Sequence, residues 1–198
     1  GITLAADIGQ VKIRRPQRGS REVIINIDLW EMLTSGDRSQ DMTLRDGDSI
    51  FVPTAKSINL QETRQIATTA FATPLDQPRN VTVVGEVKRP GAYVVRGGDT
   101  GADFNVSGQP TVTRAIQLAG GIKPLADIRH IRLRRQTRGG AIQIVNLDLW
   151  ELLQNGDINQ DAILQQGDMI VIPTASKIKL TEAHELAAAS FAPNEIQV

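Results

Sequence analysis

The ten residues "DLWEMLTSGD" (28–37) return almost unchanged as "DLWELLQNGD" (148–157). The same offset of 120 positions aligns residues 1–78 with residues 121–198 without a gap, and more than 30 of these 78 pairs are identical. A typical soluble composition would give on the order of five identities by chance. The chain is therefore a tandem array, and its period is long enough for a small domain with its connection.

The repeat predicts the domain organisation. The counterpart of residues 79–120 would lie before Gly1, so we expect the chain to open inside a truncated first repeat. Residues 196–198 alternate apolar and polar like residues 81–83, as if a further repeat began there. The expected parts are the second half of a first repeat (1–55), a helical connector (56–78), a complete second repeat (79–175), and a connector with the start of a next repeat (176–198).

Composition indicates an ordinary soluble array. The 22 basic and 22 acidic residues give zero formal net charge, which argues against binding a polyanion through bulk electrostatics. With 40% hydrophobic residues, each full repeat can bury a core. No apolar run approaches the roughly 18 residues of a membrane helix, so we expect no membrane insertion by this segment. The absence of cysteine excludes disulfides and thiolate chemistry.

The first half of the complete repeat predicts a hairpin and a helix. "VTVVGE" (81–86) and "AYVV" (92–95) are β-rich runs on either side of a Pro-Gly turn, which is typical of a hairpin. After a glycine-rich loop, Thr111 is expected to cap a helix with apolar residues at helical spacing. Gly120 and Gly121 are expected to end this helix in the left-handed conformation.

The second half predicts another hairpin, a short helix and further strands. "HIRLRR" (130–135) and "AIQIVNL" (141–147) are separated by a glycine turn. Asp148 is expected to cap the next helix, with Glu151 closing a capping box. "DAILQQGDMIVIPTA" (161–175) then predicts a short strand, a turn and a last strand. The fold class is therefore α+β, a β-grasp-like mixed sheet with one helix packed across it and helical connectors between repeats.

These motifs resemble a known family. The stretches that carry the resemblance are "VTVVGEVKRPGAYVV", "TVTRAIQLAGGI", "IRLRR", "VNLDLWELLQNGD" and "LQQGDMIVIPTA". They are similar to the SLBB domain, the soluble-ligand-binding β-grasp module. The sequence of the repeat, with its connector and "SFAPNEIQV", is similar to the tandem SLBB copies in bacterial, especially cyanobacterial, polysaccharide export outer-membrane proteins. The resemblance implies a periplasmic location and a homo-oligomeric ring around the path of a polysaccharide, and it transfers no set of site residues.

Two groups of residues are candidates for ligand contact. Arg132 and Arg134 point outward from their strand, and their guanidinium forks suit an acidic polysaccharide, a neighbouring subunit's carboxylates or phosphate. A solvated strand face is the simpler explanation of these arginines. The second group surrounds the turn of the first hairpin and comprises Glu86, Lys88, Arg89 and Tyr93. The arginines that recur in both copies are Arg14, Arg15 and Arg18, as Arg134, Arg135 and Arg138.

Catalysis and metal binding have no support in the sequence. His130 and His184 align with Gln10 and Arg64, so neither histidine is repeated, and we expect no metal site and no cofactor. The recurring aspartates lie at helix caps or beside turn glycines, where capping explains them. Trp150 recurs as Trp30 and is a potential sugar platform, although burial among leucines is the simpler use. We therefore expect no enzyme.

Three function classes remain open. The first is an assembly module of a polysaccharide export channel, with the polysaccharide as a candidate partner. The second is a stand-alone module that binds a soluble glycan. The third is nucleic-acid binding, as in DNA-uptake proteins; zero net charge and the lack of interleaved aromatic residues argue against it, so we expect no nucleic-acid partner.

The half repeat should expose apolar surface. Residues 1–55 lack counterparts of the first hairpin and of the covering helix, so we expect an uncovered face at Ile13, Ile24, Ile50 and Val52 and open strand edges. Such a face should be completed from elsewhere, by strand or domain exchange with another chain or by packing on the full repeat.

Overall fold

A computed structural model of the chain describes residues 1–17, 21–69, 72, 77–97 and 108–176. Contacts divide the chain into two units, Ile2–Ser57 and, with Gly1, Ile58–Val198. The predicted connector helix from residue 177 and the predicted start of a next repeat lie outside the described residues, as does most of the glycine-rich loop.

The unit Ile2–Ser57, called the half repeat below, contains one three-stranded antiparallel sheet. Its strand order is β2-β1-β3, so β3 is an edge strand among the described residues. A short helix follows the β1–β2 hairpin. The elements are β1 (Val11–Gln17), β2 (Arg21–Ile27), α1 (Leu29–Ser35) and β3 (Ser49–Phe51).

The second unit, called the complete repeat below, contains a five-stranded mixed sheet in the order β5-β4-β8-β6-β7. Among these described strands, only the central β4–β8 pair is parallel. This arrangement confirms the predicted α+β, β-grasp-like fold. The elements are α2 (Leu60–Ala67), β4 (Arg79–Gly85), β5 (Gly91–Val95), α3 (Val112–Leu118), β6 (Ile131–Gln136), β7 (Ile142–Leu147), α4 (Leu149–Asn155) and β8 (Met169–Ile172).

Gly85 lets β4 approach β8 closely. It has a φ of +95°, and a Cβ atom on it would lie 1.9 Å from the carbonyl oxygen of Ile172. The neighbouring Glu86 N–H donates to that same oxygen at 2.9 Å. No side chain fits there, so glycine is required where the first hairpin joins the last strand.

Helix α3 covers one face of the five-stranded sheet. Its residues Val112, Ala115 and Ile116 are fully buried, as the predicted helical spacing requires. They pack against alternating residues of the strands, among them Val83 on β4 and Ile170 on β8, which are also fully buried. The opposite face of the sheet carries no described helix and presents charged side chains of β6 beside the exposed Ile142 and Ile144 of β7.

Two helix caps differ from the sequence prediction. Thr111 occupies the N-cap of α3 but makes no side-chain cap hydrogen bond. The carboxylate of Asp161 takes that role, accepting from the Thr113 N–H at 2.8 Å and the Thr113 hydroxyl at 2.7 Å. Asp148 caps α4 as predicted, yet its own N–H donates to the Gln160 side chain at 2.9 Å, so Glu151 does not close a capping box.

A third local prediction also fails. The predicted short strand near residue 163 is a single bridge between Thr111 and Ile163, so this part of the chain is better described as a loop that touches the start of α3.

The two copies share one backbone plan over the repeated phrase. α1 and α4 each begin directly after a capping aspartate and end at a left-handed glycine, Gly36 or Gly156. The register of β1 on β2 and β3 matches that of β6 on β7 and β8, so Ile13 faces Ile50 as Leu133 faces Ile170. The repeat seen in the sequence is therefore a structural repeat.

The half repeat is uncovered at only part of the predicted face. Ile50 is 54% exposed, as expected, whereas Ile13 is 3% exposed and Val52 is half-buried, so the prediction was wrong for these two residues. Ile24 is exposed for a different reason, because it lies on the outer face where its counterpart Ile144 is exposed too. The residues packed around Ile13, including Val11 and Ile27, form a small core of their own.

Candidate functional site

Arg132 and Arg134 lie on the outer face of the complete repeat, opposite α3. They alternate on β6 with the buried Ile131 and Leu133, as predicted. Neither guanidinium makes an ion pair within the segments that the structure describes. Arg134 lies directly across from Ile144, which is 58% exposed. The result is a surface that combines free positive charge with exposed aliphatic side chains.

The half repeat presents the same combination. Lys12 and Arg14 hold the positions of the two arginines, and Ile24, across from Arg14, is 59% exposed. A shallow cleft of about 330 Å³ is lined by these three residues together with Ser49, Ile50 and Phe51 of β3. We call this type of surface the outer basic face. In the complete repeat it consists of Arg132, Arg134 and Ile144, and in the half repeat it consists of the equivalent Lys12, Arg14 and Ile24.

The turn of the first hairpin is bound to the end of α3. The backbone N–H of Lys88 donates to the Gly121 carbonyl at 3.0 Å, and that of Arg89 donates to the Ala119 carbonyl at 2.9 Å. The guanidinium of Arg89 reaches the Leu118 carbonyl at 3.3 Å. Positive charge near the last carbonyls of a helix is favourable, so this turn has a structural use.

Tyr93 and Glu86 are also engaged within the domain. The Tyr93 hydroxyl donates to the Arg89 carbonyl, and the ring packs against the core. Glu86 accepts from the Thr174 hydroxyl at 3.0 Å. Among the four predicted turn residues, only the side chains of Lys88 and Arg89 are exposed.

The two predicted groups of site residues do not form one site. Tyr93 faces Val81 in the β4–β5 pair, and Val81 is buried in the core beneath α3. Directly opposed residues of antiparallel strands point to the same face of a sheet. Tyr93 therefore lies on the α3 face, whereas Arg132 and Arg134 lie on the other face.

A polar cleft that the sequence reasoning missed lies beside α2 and α3. Its volume is about 280 Å³. Its lining combines guanidinium, amide, hydroxyl and carboxylate groups with two aliphatic residues. The lining residues are Arg64, Gln109, Thr111, Thr113, Arg114, Gln117, Leu152, Ile158 and Asp161. These groups offer both donors and acceptors, as a polyhydroxylated ligand requires.

Arg64 fixes helix α2 against this cleft. Its guanidinium donates to the Gln109 side chain at 2.9 Å and to the carbonyls of Ile158 and Asp161 at 2.6 and 2.7 Å. Its Nε atom is buried and has no hydrogen-bond partner among the described residues. The predicted connector helix α2 is therefore held against the rest of its unit by Arg64, whose carbonyl partners lie 94 and 97 residues later in the chain.

Asp161 is the carboxylate among the lining residues of the cleft. Burial raises the pKa of Asp161 above its ordinary value, and the hydrogen bonds from Thr113 oppose this effect. The recurrence of an aspartate at positions 41 and 161 was a signal in the sequence, but its partner Thr113 lies 48 residues away and in the half of the repeat that occurs once.

Two recurring arginines form internal ion pairs. Arg135 donates to Asp168 through Nε at 2.9 Å and Nη2 at 2.7 Å, and Arg15 donates to Asp48 with the same two distances. Asp168 also accepts from the Gln165 N–H at 2.8 Å. These guanidinium groups are occupied inside the domains, so the anion contact considered for the repeated arginines remains only for the outward ones.

Trp150 does not offer a free stacking surface on both sides. Its ring is half-buried against the core, and the guanidinium of Arg129 lies 4.5 Å from the ring centroid. The contact is a cation–π interaction that covers one face of the indole. The simpler interpretation, burial with the domain's own residues, describes this tryptophan.

No helix within the described part of the chain has both the length and the apolarity needed to cross a bilayer. Among the same residues, no three or more histidine, aspartate or glutamate side chains lie together in a group that could hold a metal ion.

A mixed five-stranded sheet crossed by one helix defines a β-grasp-like α+β domain, here with a charged outer face and a polar cleft. A comparison with protein families identifies it further. Residues 80–100 and 104–146 match the family model described as the SLBB domain. The complete repeat thus contains an SLBB domain, and this class of domain is a soluble-ligand-binding module.

Proposed function

We propose that this chain is a periplasmic segment of a polysaccharide export channel, in which its SLBB units hold neighbouring subunits together and contact the polysaccharide. The observation that carries the proposal is the outer basic face, which occurs in both copies with cations at the same two positions, the same isoleucine position and the same strand register. A surface of this kind that repeats along an array suits repeated contacts better than it suits a single ligand site.

The chemistry of the outer basic face fits both roles. Arginine forks bind carboxylates in two-point contacts, and these occur on acidic sugars and on neighbouring protein surfaces. Exposed isoleucines beside them gain free energy when a partner removes them from water. Because Arg14 is paired with Glu22 whereas Arg134 has no such partner among the described residues, the complete repeat is the stronger binder of the two.

The test compares two double variants with the same charge change. Arg132→Glu with Arg134→Glu alters the outer basic face, and Lys123→Glu with Arg138→Glu alters exposed cations in loops. Sedimentation velocity over a range of concentrations measures self-association, and affinity electrophoresis in a gel containing a polyuronate measures glycan contact. We expect only the first variant to lose association or retention, and added salt to weaken both in the parent protein.

The outcomes separate the function classes. Loss of self-association without any polyuronate retention supports assembly alone. Equal behaviour of the two double variants in both assays would contradict the role of the outer basic face. Retention on DNA equal to that on the polyuronate would indicate unspecific anion binding and favour the nucleic-acid alternative.

A stand-alone glycan-binding module is the second candidate, and the polar cleft favours it. Arg114→Ala and Gln117→Ala change two lining residues outside the outer basic face. If the cleft binds the glycan, these variants lose retention of neutral and acidic oligosaccharides alike, and the outer-face variant keeps it. Isothermal titration calorimetry with both kinds of oligosaccharide distinguishes the two sites.

A further inference from the structure

The half repeat exposes an apolar patch at positions whose equivalents in the complete repeat are fully buried. Leu44 and Ile50 are 51% and 54% exposed, while the equivalent Leu164 and Ile170 are fully buried. The residue types are identical at both positions, so the difference lies in what covers them. This patch adjoins β3, which is an edge strand among the described residues.

The complete repeat shows what covers these positions. Ile170 lies beside Val83 in the parallel β4–β8 pair. The Leu164 N–H donates to the Pro110 carbonyl at 2.7 Å, so the chain entering α3 lies directly over this loop. The cover is therefore a hairpin at the strand edge, followed by a segment and helix across the face.

The receiving surface of the half repeat is already formed. β3 keeps the register on β1 that β8 has on β6. The Arg15–Asp48 pair fixes the start of β3 with the same two distances as its counterpart. A preorganised edge loses little conformational entropy when a strand is added to it.

We infer that the half repeat is a docking site for a β-hairpin followed by a helix, with the residue pattern of residues 79–121. The hairpin adds in parallel to the edge of β3, and the following helix covers Leu44 and Ile50. Main-chain hydrogen bonds supply affinity, and inward apolar side chains at the position of Val83 supply specificity.

A second half repeat is a poorer occupant. Two β3 edges could pair with each other and extend the sheet, since edge strands readily form such contacts. That arrangement would satisfy the strand edge but would leave Leu44 uncovered, because in the complete repeat the cover of Leu164 comes from the α3 side rather than from a strand. Only the hairpin–helix segment covers both positions.

The experiment joins a second copy of residues 79–120 directly to Gly1. No linker is needed, because Gly1 is the repeat counterpart of Gly121. Amide hydrogen exchange measured by NMR then compares Ser49–Phe51 of β3 with Met169–Ile172 of β8 in the same molecule. We expect fast exchange on β3 in the unmodified chain and, in the fusion, protection of β3 comparable to that of β8.

The matched control carries Val83→Asp in the added copy alone, which should abolish the gain because it places a charge at the inward position. Fast exchange of β3 in the fusion, with β8 still protected, would overturn the inference. So would a dimer of the unmodified chain, found by light scattering, in which β3 is already protected, since a second copy would then be the occupant.

Discussion

Removing Asp168 should destabilise the complete repeat strongly, because it leaves the buried guanidinium of Arg135 without its counter-charge. The two side chains are 3% and 0% exposed, and Asp168→Ala also deprives the Gln165 N–H of its acceptor. Breaking a buried pair in this way costs about 3–5 kcal/mol, a large share of the about 5–15 kcal/mol that holds a domain folded. Urea denaturation followed by Trp150 fluorescence in a Trp30→Phe background measures this repeat alone.

Two comparisons test the reasoning. Asp48→Ala in the half repeat should cost less, because the Arg15 side chain is 13% exposed and water can reach it. Arg135→Met with Asp168→Asn should recover most of the loss, since no unpaired charge remains and the introduced amide oxygen can still accept a hydrogen bond in the turn. A loss below about 1 kcal/mol for Asp168→Ala, the size of an ordinary surface change, would refute the argument.

Three further outcomes follow from the half repeat, the connector helix and the β4–β8 contact. The hydrogen bond from Arg15 holds the pKa of Asp48 at about 2 instead of 3.8. The ionised Asp48 therefore stabilises the folded half repeat fully above pH 3.8, and this contribution is lost as the pH falls through about 2. Arg15→Gln should raise the pKa of Asp48 in a carboxyl NMR titration. Arg64→Ala should free the connector helix and cost about 1–3 kcal/mol in urea denaturation. Gly85→Ala should lower the free energy of unfolding more than Gly140→Ala. A Cβ atom on Gly140 has no atom within 4 Å, so that variant bears only backbone strain of about 1–2 kcal/mol.

The controls for these variants come from the same elements. Gln65→Ala lies on the exposed side of α2 and should leave stability unchanged; an equal loss for Gln65→Ala and Arg64→Ala would show that helix propensity, not docking, is measured. An Asp48 pKa unaffected by Arg15→Gln would assign the shift to its second hydrogen bond, from the Arg45 N–H. Equal melting temperatures for the two glycine variants would contradict the close approach to Ile172.

Local sequence patterns predicted the elements, and tertiary partners decided their caps. The β-branched run of β4 and the spacing of apolar residues in α3 are patterns of neighbouring residues, so both elements were predictable from the sequence. The partner of Asp148 is Gln160, and that of Thr113 is Asp161, 12 and 48 residues away, and such distances are set only by the folded chain.

The candidate site was predictable to a smaller extent. Alternation placed Arg132 and Arg134 outward, but it could not reveal that Tyr93 lies on the opposite face, since that depends on strand order. The Arg135–Asp168 pair had a usable signal, because both residues recur at the repeat spacing as Arg15 and Asp48. When two oppositely charged residues both recur in the two copies, their joint recurrence indicates a contact between them, which the recurrence of one residue alone does not.

The parallel pairing of β4 with β8 sets a delay during synthesis. Thr82 lies opposite Met169, 87 residues later in the chain. At about 5–20 residues per second, a ribosome needs roughly 4–17 s to make the second strand after the first. Throughout that interval the newly made hairpin has one side without its final neighbour, so a chaperone or a neighbouring nascent chain meets an unpaired strand whose exposure depends on translation speed.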